Sequence, residues 1–250
     1  MFNIPTGSLP ADCSKPQIEA RIYGGVEVTR NGVPSVVGVR GQLRGSKVLC
    51  GGVLITPKHV ITSAHCVFMP LFAWVAAVIL GGHTHEDGVE VLISYIAIHP
   101  DFAMDATFDA DLAVLTLAAE VTGGIGAAPA CITPHAPPAY TPATVYGWGR
   151  LGYTKPLSAV LRQADVKILP PKYCRGFGGN FTSRMLCAGD LGRDACTGDS
   201  GGPLMGKVEG EEGMVVFGLV SFGHGCGMKE FPGGYTSLAP FREWITSVLY

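Results

Sequence analysis

The string Gly198-Asp199-Ser200-Gly201-Gly202-Pro203 is where chemistry is most legible in this chain. A serine hydroxyl is a weak nucleophile until a neighbouring base takes its proton. It also needs backbone N–H groups aimed at the oxyanion that forms on attack. Glycines on both sides let the backbone bend sharply and approach a substrate closely. A short Gly-x-Ser-x-Gly pattern alone also fits an incidental turn, but the full six-residue string is much more specific. A base is offered by Thr62-Ser63-Ala64-His65-Cys66. A carboxylate to orient that imidazole is offered by Asp111, which opens the apolar run Asp-Leu-Ala-Val-Leu-Thr-Leu. A carboxylate at the mouth of a buried strand is costly unless it is hydrogen-bonded. Asp105 and Asp109 are its rivals; they sit in a looser segment and are expected to be solvated. The remaining histidines, His59, His83, His85, His99, His135 and His224, read as structural or incidental. The His83-Thr84-His85 pair has no third ligand near it in sequence, so no metal is expected there.

The elements that must position these residues read as β. From Ile22 onward, short Val/Ile/Leu runs are broken by glycine and proline. They are Val36–Arg40, Gly52–Ile55, Val91–Ile98, Leu112–Leu117, Thr144–Tyr146, Ala164–Ile168 and Met214–Phe222. Residues 1–21 have little periodicity and are expected to be a leader outside the core. The longest apolar stretch, Val67 to Leu80, contains Pro70 and is too short to span a bilayer. It reads as a loop leading into a buried strand. One helix is expected over Pro240 to Leu249, where Phe241, Trp244, Ile245 and Val248 follow i, i+3, i+4, i+7 spacing.

Bulk properties narrow the class further. The chain has 250 residues, long enough to bury a core without metals, and with 47% hydrophobic and 15% charged residues it is globular, not disordered. A net charge of −2 gives no basic face for nucleic acid and no polybasic membrane tether. The eight cysteines include no Cys-x-x-Cys pair, which favours four disulfides in an oxidising compartment over a zinc site. Spacing alone leaves the pairing open. Met1 to Pro10 has neither a basic start nor an apolar stretch, so it does not read as a signal peptide. Asn180-Phe181-Thr182 is an N-glycosylation acceptor sequence.

The order His65, Asp111, Ser200, with its flanking strings, resembles the chymotrypsin/trypsin family of serine proteases. The likeness runs from Arg21 to about Leu249. It is carried also by Arg21-Ile22-Tyr23-Gly24-Gly25, Cys50-Gly51-Gly52, Gly147-Trp148-Gly149, Leu186-Cys187-Ala188-Gly189 and Pro232-Gly233-Gly234-Tyr235. The resemblance implies an all-β fold of two six-stranded antiparallel barrels, with the active site in the cleft between them and a C-terminal helix. It implies a 1–21 activation segment before a 22–250 protease domain. It implies Ser200 as nucleophile, His65 as general base and acid, Asp111 as the orienting carboxylate, and the N–H groups of Gly198 and Ser200 as the oxyanion hole.

By the same resemblance Asp194 stands at the floor of the primary specificity pocket, with Ser221, Gly223 and Gly233 in its walls. An acidic floor with glycine walls suits a Lys or Arg side chain. Arg21-Ile22 resembles an activation cleavage site, after which the Ile22 ammonium would pair with Asp199. The family pairing would give Cys13–Cys131, Cys50–Cys66, Cys174–Cys187 and Cys196–Cys226. Three positions depart from the family pattern: Thr197 where glutamine is common, Phe222 where tryptophan is common, and Gly234 where a branched residue is common. Gly82 replaces the first glutamate of the family's calcium loop, so no metal or other cofactor is expected. The expected partners are peptides with Lys or Arg at P1 and protein inhibitors of such enzymes, with no nucleic acid and no membrane, acting on a secreted monomer. The rival readings are a catalytically silent homologue acting as a binding module and an α/β-hydrolase esterase. The esterase has the opposite chain order, Ser before acid before His.

Overall fold

The structure, a computed structural model, describes residues 9, 25–43, 46–68, 73–84, 86–103, 107–122, 124–152, 154–174, 181–190, 195–211, 213–223 and 232–250. Its strands are β1 (Val26–Glu27), β2 (Val36–Leu43), β3 (Ser46–Thr56), β4 (His59–Thr62), β5 (Ala73–Leu80), β6 (Val89–Ile98) and β7 (Ala113–Leu117) in the first half. The second half carries β8 (Pro142–Gly147), β9 (Arg162–Leu169), β10 (Met185–Gly189), β11 (Pro203–Lys207), β12 (Met214–Phe222) and β13 (Gly233–Ser237), then the helix α1 (Arg242–Ser247).

These strands close into two antiparallel six-stranded barrels. The first runs β2-β3-β4-β7-β6-β5. The second runs β9-β10-β13-β12-β11-β8 and closes through β8 on β9, with β1 added outside the ring on β9. Closure leaves few free strand edges. Three apolar clusters follow. Val37, Leu54, Val60, Val78, Leu115 and Leu117 fill the first barrel. Val145, Ile168, Leu204, Val215, Phe217 and Tyr235 fill the second. A third cluster lies where the barrels meet and takes residues from both, among them Val53, Ile61, Leu112, Tyr146, Trp148, Val216 and Leu219. β12 explains its own placement: MVVFGLVSF is buried from Met214 through Ser221, so it is apolar on both faces, with β11 on one side and β13 on the other.

The C-terminal stripe packs as its spacing predicts, but the helix is shorter than expected. It covers Arg242–Ser247 after a 3₁₀ turn at Ala239–Phe241, and the Val248 N–H closes back on Ile245 and Thr246. Phe241, Ile245 and Leu249 join the inter-barrel cluster, with Trp244 and Val248 packed against it. Leu9, the one described residue of the segment expected to be a leader, packs against this cluster. No helix among the described residues is long and apolar enough to cross a membrane.

Candidate active site

His65 sits in a 3₁₀ turn, Ala64–Cys66, that follows directly on β4. Two contacts fix this turn from outside. The Cys50–Cys66 disulfide ties it to β3, and the Ser63 hydroxyl donates to Val220 O at 2.8 Å, reaching into the second barrel. The Ser200 segment approaches from the other side. Gly51 N donates to Ser200 O at 2.7 Å, so β3 of one barrel touches the Ser200 turn of the other. Gly201 has φ +76°, and a Cβ there would collide with Thr62 Oγ1 and Gly51 O. Only glycine satisfies both the conformation and the approach.

Asp111 is completely buried two residues before β7. Its Oδ1 accepts from His65 N at 2.9 Å, and its Oδ2 lies 2.7 Å from His65 Nδ1. Next to an ionised carboxylate, Nδ1 is the protonated ring nitrogen, which leaves the lone pair on Nε2. The Ser221 hydroxyl donates to the same Oδ2, and Thr236 Oγ1 donates to Asp111 O at 2.9 Å. A buried carboxylate is thus met by three donors, the condition under which such a charge is tolerated. The sequence reading put Ser221 in the pocket wall; its side chain is committed to Asp111.

Of the N–H groups from Gly198 to Gly202, that of Asp199 donates to Cys196 O, that of Gly201 to Val220 O and that of Gly202 to Asp199 O. Those of Gly198 and Ser200 donate to no acceptor among the described residues. Gly198 has φ +98°, a conformation that favours glycine. Two unspent N–H groups beside a serine are the arrangement that stabilises an oxyanion. Ser200 Oγ makes no hydrogen bond among the described residues, so the serine-to-histidine link is the part of the expected relay that the structure does not hold.

Behind the serine, the Asp199 carboxyl accepts from Gly149 N at 2.7 Å and Cys196 N at 2.8 Å. A Cβ at Gly147 or Gly149 would overlap that carboxyl, so Gly147-Trp148-Gly149 is its cage. Burial pushes the Asp199 carboxyl up to about 6, against the two N–H bonds that lower it. Of the wall residues, Ser221 lies in β12 and Gly233 opens β13, while Gly223 follows β12 and has open space where a side chain would project. Asp194, Arg21, Ile22, Cys13, Cys226 and Asn180 lie outside the described residues. The Cys50–Cys66 and Cys174–Cys187 bonds are formed. Cys131 and Cys196 are disulfide-bonded as well, but the expected pairings rest on Cys13 and Cys226.

The sequence reading missed Phe108. Its ring meets the His65 ring edge-on at 5.9 Å and faces Phe222 at 6.2 Å. Phe222 in turn lies opposite Gly234, where a Cβ would collide with the Phe222 ring. Two of the three departures from the family pattern are therefore one feature: the ring settles into the space that a branched residue would fill. Asp109, expected to be solvated, is instead bound by Thr182 and Arg184.

Where a calcium loop would lie, Asp87 Oδ1 accepts His83 N and Thr84 N, both at 2.9 Å, and its other oxygen pairs with Arg30. The described residues contain no cluster of three or more metal-ligating side chains.

The trypsin family model matches residues 22–245. Hypodermin-B of Hypoderma lineatum is 34% identical over 249 residues, covering 97% of this chain and 91% of that protein. Serine protease 56 of Homo sapiens is 38% identical over 94% of this chain, which spans only 40% of its length. Among solved structures, neuropsin, a serine protease expressed in the limbic system of mouse brain, superposes with a TM-score of 0.78 at 27% identity. That match covers 90% of this chain and 99% of the other.

Proposed function

Since the chain belongs to the trypsin family of serine proteases, we propose that it is a secreted endopeptidase that cleaves after Lys or Arg through Ser200, His65 and Asp111. In this reading Ser200 Oγ attacks the scissile carbonyl carbon as His65 Nε2 takes the hydroxyl proton. The carbonyl oxygen becomes the oxyanion and accepts from Gly198 N and Ser200 N, each donor lowering the barrier by about 3–4 kcal/mol. His65 then gives its proton to the leaving amine, and water repeats the sequence on the acyl-enzyme. Asp111 keeps the imidazole in the Nδ1–H tautomer and stabilises its cation. The observation that carries this reading is the Asp111 carboxylate, fully buried and bonded to both the backbone N and the ring Nδ1 of His65. A structural histidine does not need a buried charge to set its tautomer.

The P1 preference rests on Asp194 and the glycine walls, and the zymogen reading on Arg21-Ile22 and Asp199. Among the described residues the Asp199 carboxyl, held up to about 6, meets two backbone N–H groups and no cationic side chain. The ammonium freed by cleavage at Arg21-Ile22 would supply a cation, and breaking such a pair costs on the order of 3–5 kcal/mol.

A second reading, a silent homologue that binds without turnover, is favoured by one observation: the Ser200 hydroxyl has no hydrogen bond to His65. Such contacts often tighten only when substrate binds. The test is amidase activity on Arg and Phe p-nitroanilides before and after cleavage at Arg21-Ile22. Turnover of the Arg substrate that appears only after cleavage, and is absent in Ser200→Ala, supports protease, basic P1 and zymogen together. No turnover of either substrate by protein with Ile22 as its new N-terminus hands the function to the silent reading.

A further inference from the structure

The three residues before Asp111 are in an unusual state. Phe108 has φ +49° and Ala110 has φ +52°, so two residues with side chains occupy the left-handed region on either side of Asp109. This conformation is costly for such residues and persists only where surrounding contacts impose it. The contacts come from the other barrel. Asp109 Oδ1 accepts from Thr182 Oγ1 at 2.9 Å and from Arg184 Nε at 3.3 Å, and its Oδ2 pairs with Arg184 Nη2. Arg184 Nη1 reaches Asp101 Oδ2 at 2.7 Å, and its guanidinium lies over the Phe241 ring. Thr182 and Arg184 precede β10, whereas Asp101 and Asp109 belong to the connection from β6 to β7. The guanidinium therefore bridges the barrels.

Both products of the turn bear on His65. Downstream, Leu112 N donates to Ala110 O at 2.7 Å and Asp111 receives His65. Upstream, the Phe108 ring stands against His65 and Phe222. Inside the turn, Asp109 Oδ1 also accepts Ala110 N at 3.1 Å, so the carboxylate that Arg184 grips also shapes the left-handed residue. Burial alone would raise the Asp109 carboxyl; the Arg184 and Thr182 bonds outweigh it and hold it below the ordinary carboxylate range. An exposed ion pair commonly contributes little. This one is fork-shaped, only partly exposed, and placed on a strained turn two residues from the buried carboxylate.

We propose that Arg184 and Asp109 are positioning residues for the reaction: an inter-barrel clamp that sets Asp111 and Phe108 against His65. The proposal rests on the protease reading for its kinetic consequences, but not for the geometry at His65. The experiment compares wild type with Arg184→Gln, Asp109→Asn, the double variant and Arg184→Lys, all cleaved at Arg21-Ile22 and counted by active-site titration. Each single neutral variant is expected to lower kcat/KM per titrated site at least tenfold, mainly through kcat, and to move the acid limb of its pH profile. The double variant is expected to fall no further than the worse single one, because both remove one contact. Arg184→Lys, which keeps the charge and loses the fork, is expected to lie between Arg184→Gln and wild type. It also supplies the reading if a neutral variant fails to fold.

Activity per site within twofold of wild type and an unmoved acid limb, even with a lowered Tm, would overturn the clamp. If wild type turns over no peptide, the protease reading fails separately, and the low-field proton NMR signal of His65 Nδ1–H still decides. A shift of that signal in Arg184→Gln upholds the clamp, and an unchanged signal overturns it.

Discussion

Ser221 donates its hydroxyl to Asp111 Oδ2, the same oxygen that faces His65 Nδ1. β12 thus ends by delivering a donor to the carboxylate before passing on to Phe222 and Gly223. Ser221→Ala would leave a buried charge one hydrogen bond short, and a bond to a charged group is worth about 1.5–3 kcal/mol. The expected result is a fall of about tenfold or more in kcat with KM for the Arg substrate little changed. A raised KM with kcat intact would mean that Ser221 acts through the pocket wall alone.

Asp199 makes the uncut chain sensitive to pH in a defined direction. Its carboxyl titrates at about 6 in the fold, against about 3.9 in an unfolded chain. The folded state therefore holds this proton more tightly. The group favours the fold most below about pH 4, loses that advantage as pH rises to about 6, and stays unfavourable above. The loss is about 3 kcal/mol. An Ile22 ammonium would remove it. Thermal melts of the uncut Arg21→Gln chain and of the cleaved chain should diverge between pH 4.5 and 7.5, the cleaved form gaining. A gap that does not vary with pH would sink the Ile22–Asp199 pairing.

Gly234→Val tests whether the Phe222 ring depends on the space left for it. A branched side chain there would push the ring out of its seat opposite β13 and away from Phe108. The expected change is in extended substrate preference beyond P1, by roughly fivefold or more, with an overpacking cost of about 1–3 kcal/mol. A peptide-library cleavage profile that matches wild type would show that the ring finds its place regardless.

The Cys50–Cys66 bond spans 16 residues and closes over the His65 turn. Its removal in a Cys50→Ala, Cys66→Ala double variant should cost about 3 kcal/mol of stability. Because Ser63 still holds the turn to Val220, activity per titrated site at a temperature well below the melt should drop less than tenfold. A total loss of activity in protein that remains folded would show that the disulfide, not the hydrogen bond, places His65.

Much of the fold was legible because its strands carry long apolar runs. Met214–Phe222 is buried up to Ser221, and Val91–Ile98 and Leu112–Leu117 fall within or next to β6 and β7. The elements that escaped notice are short: Val26–Glu27, His59–Thr62, Met185–Gly189, Pro203–Lys207 and Gly233–Ser237. Gly233-Gly234 and Pro203 look like turn chemistry, and only pairing with long neighbours makes strands of them. At the site, His65, Asp111 and Ser200 could be found from their flanking strings. The role of Asp109 could not, because it depends on Arg184, distant in sequence and brought close only by barrel closure. Phe108 was hidden for the same reason. Its meaning lies in a left-handed turn and in two rings, one from the 3₁₀ turn after β4 and one from the end of β12.

β1 adds to the second barrel before the chain builds the first, and the 3₁₀ turn and α1 follow the second barrel yet send Phe241 and Trp244 against His99 of the first. Each half of the molecule thus keeps one end of the chain laced into the other half. Cutting the sequence at the midpoint would yield two pieces, each carrying a strap that belongs to its neighbour and lacking its own. Neither piece is expected to fold alone, whereas the two mixed together should regain a structure that neither has by itself. The contact between the barrels is the seam of one interlaced unit, not a hinge between two separable ones.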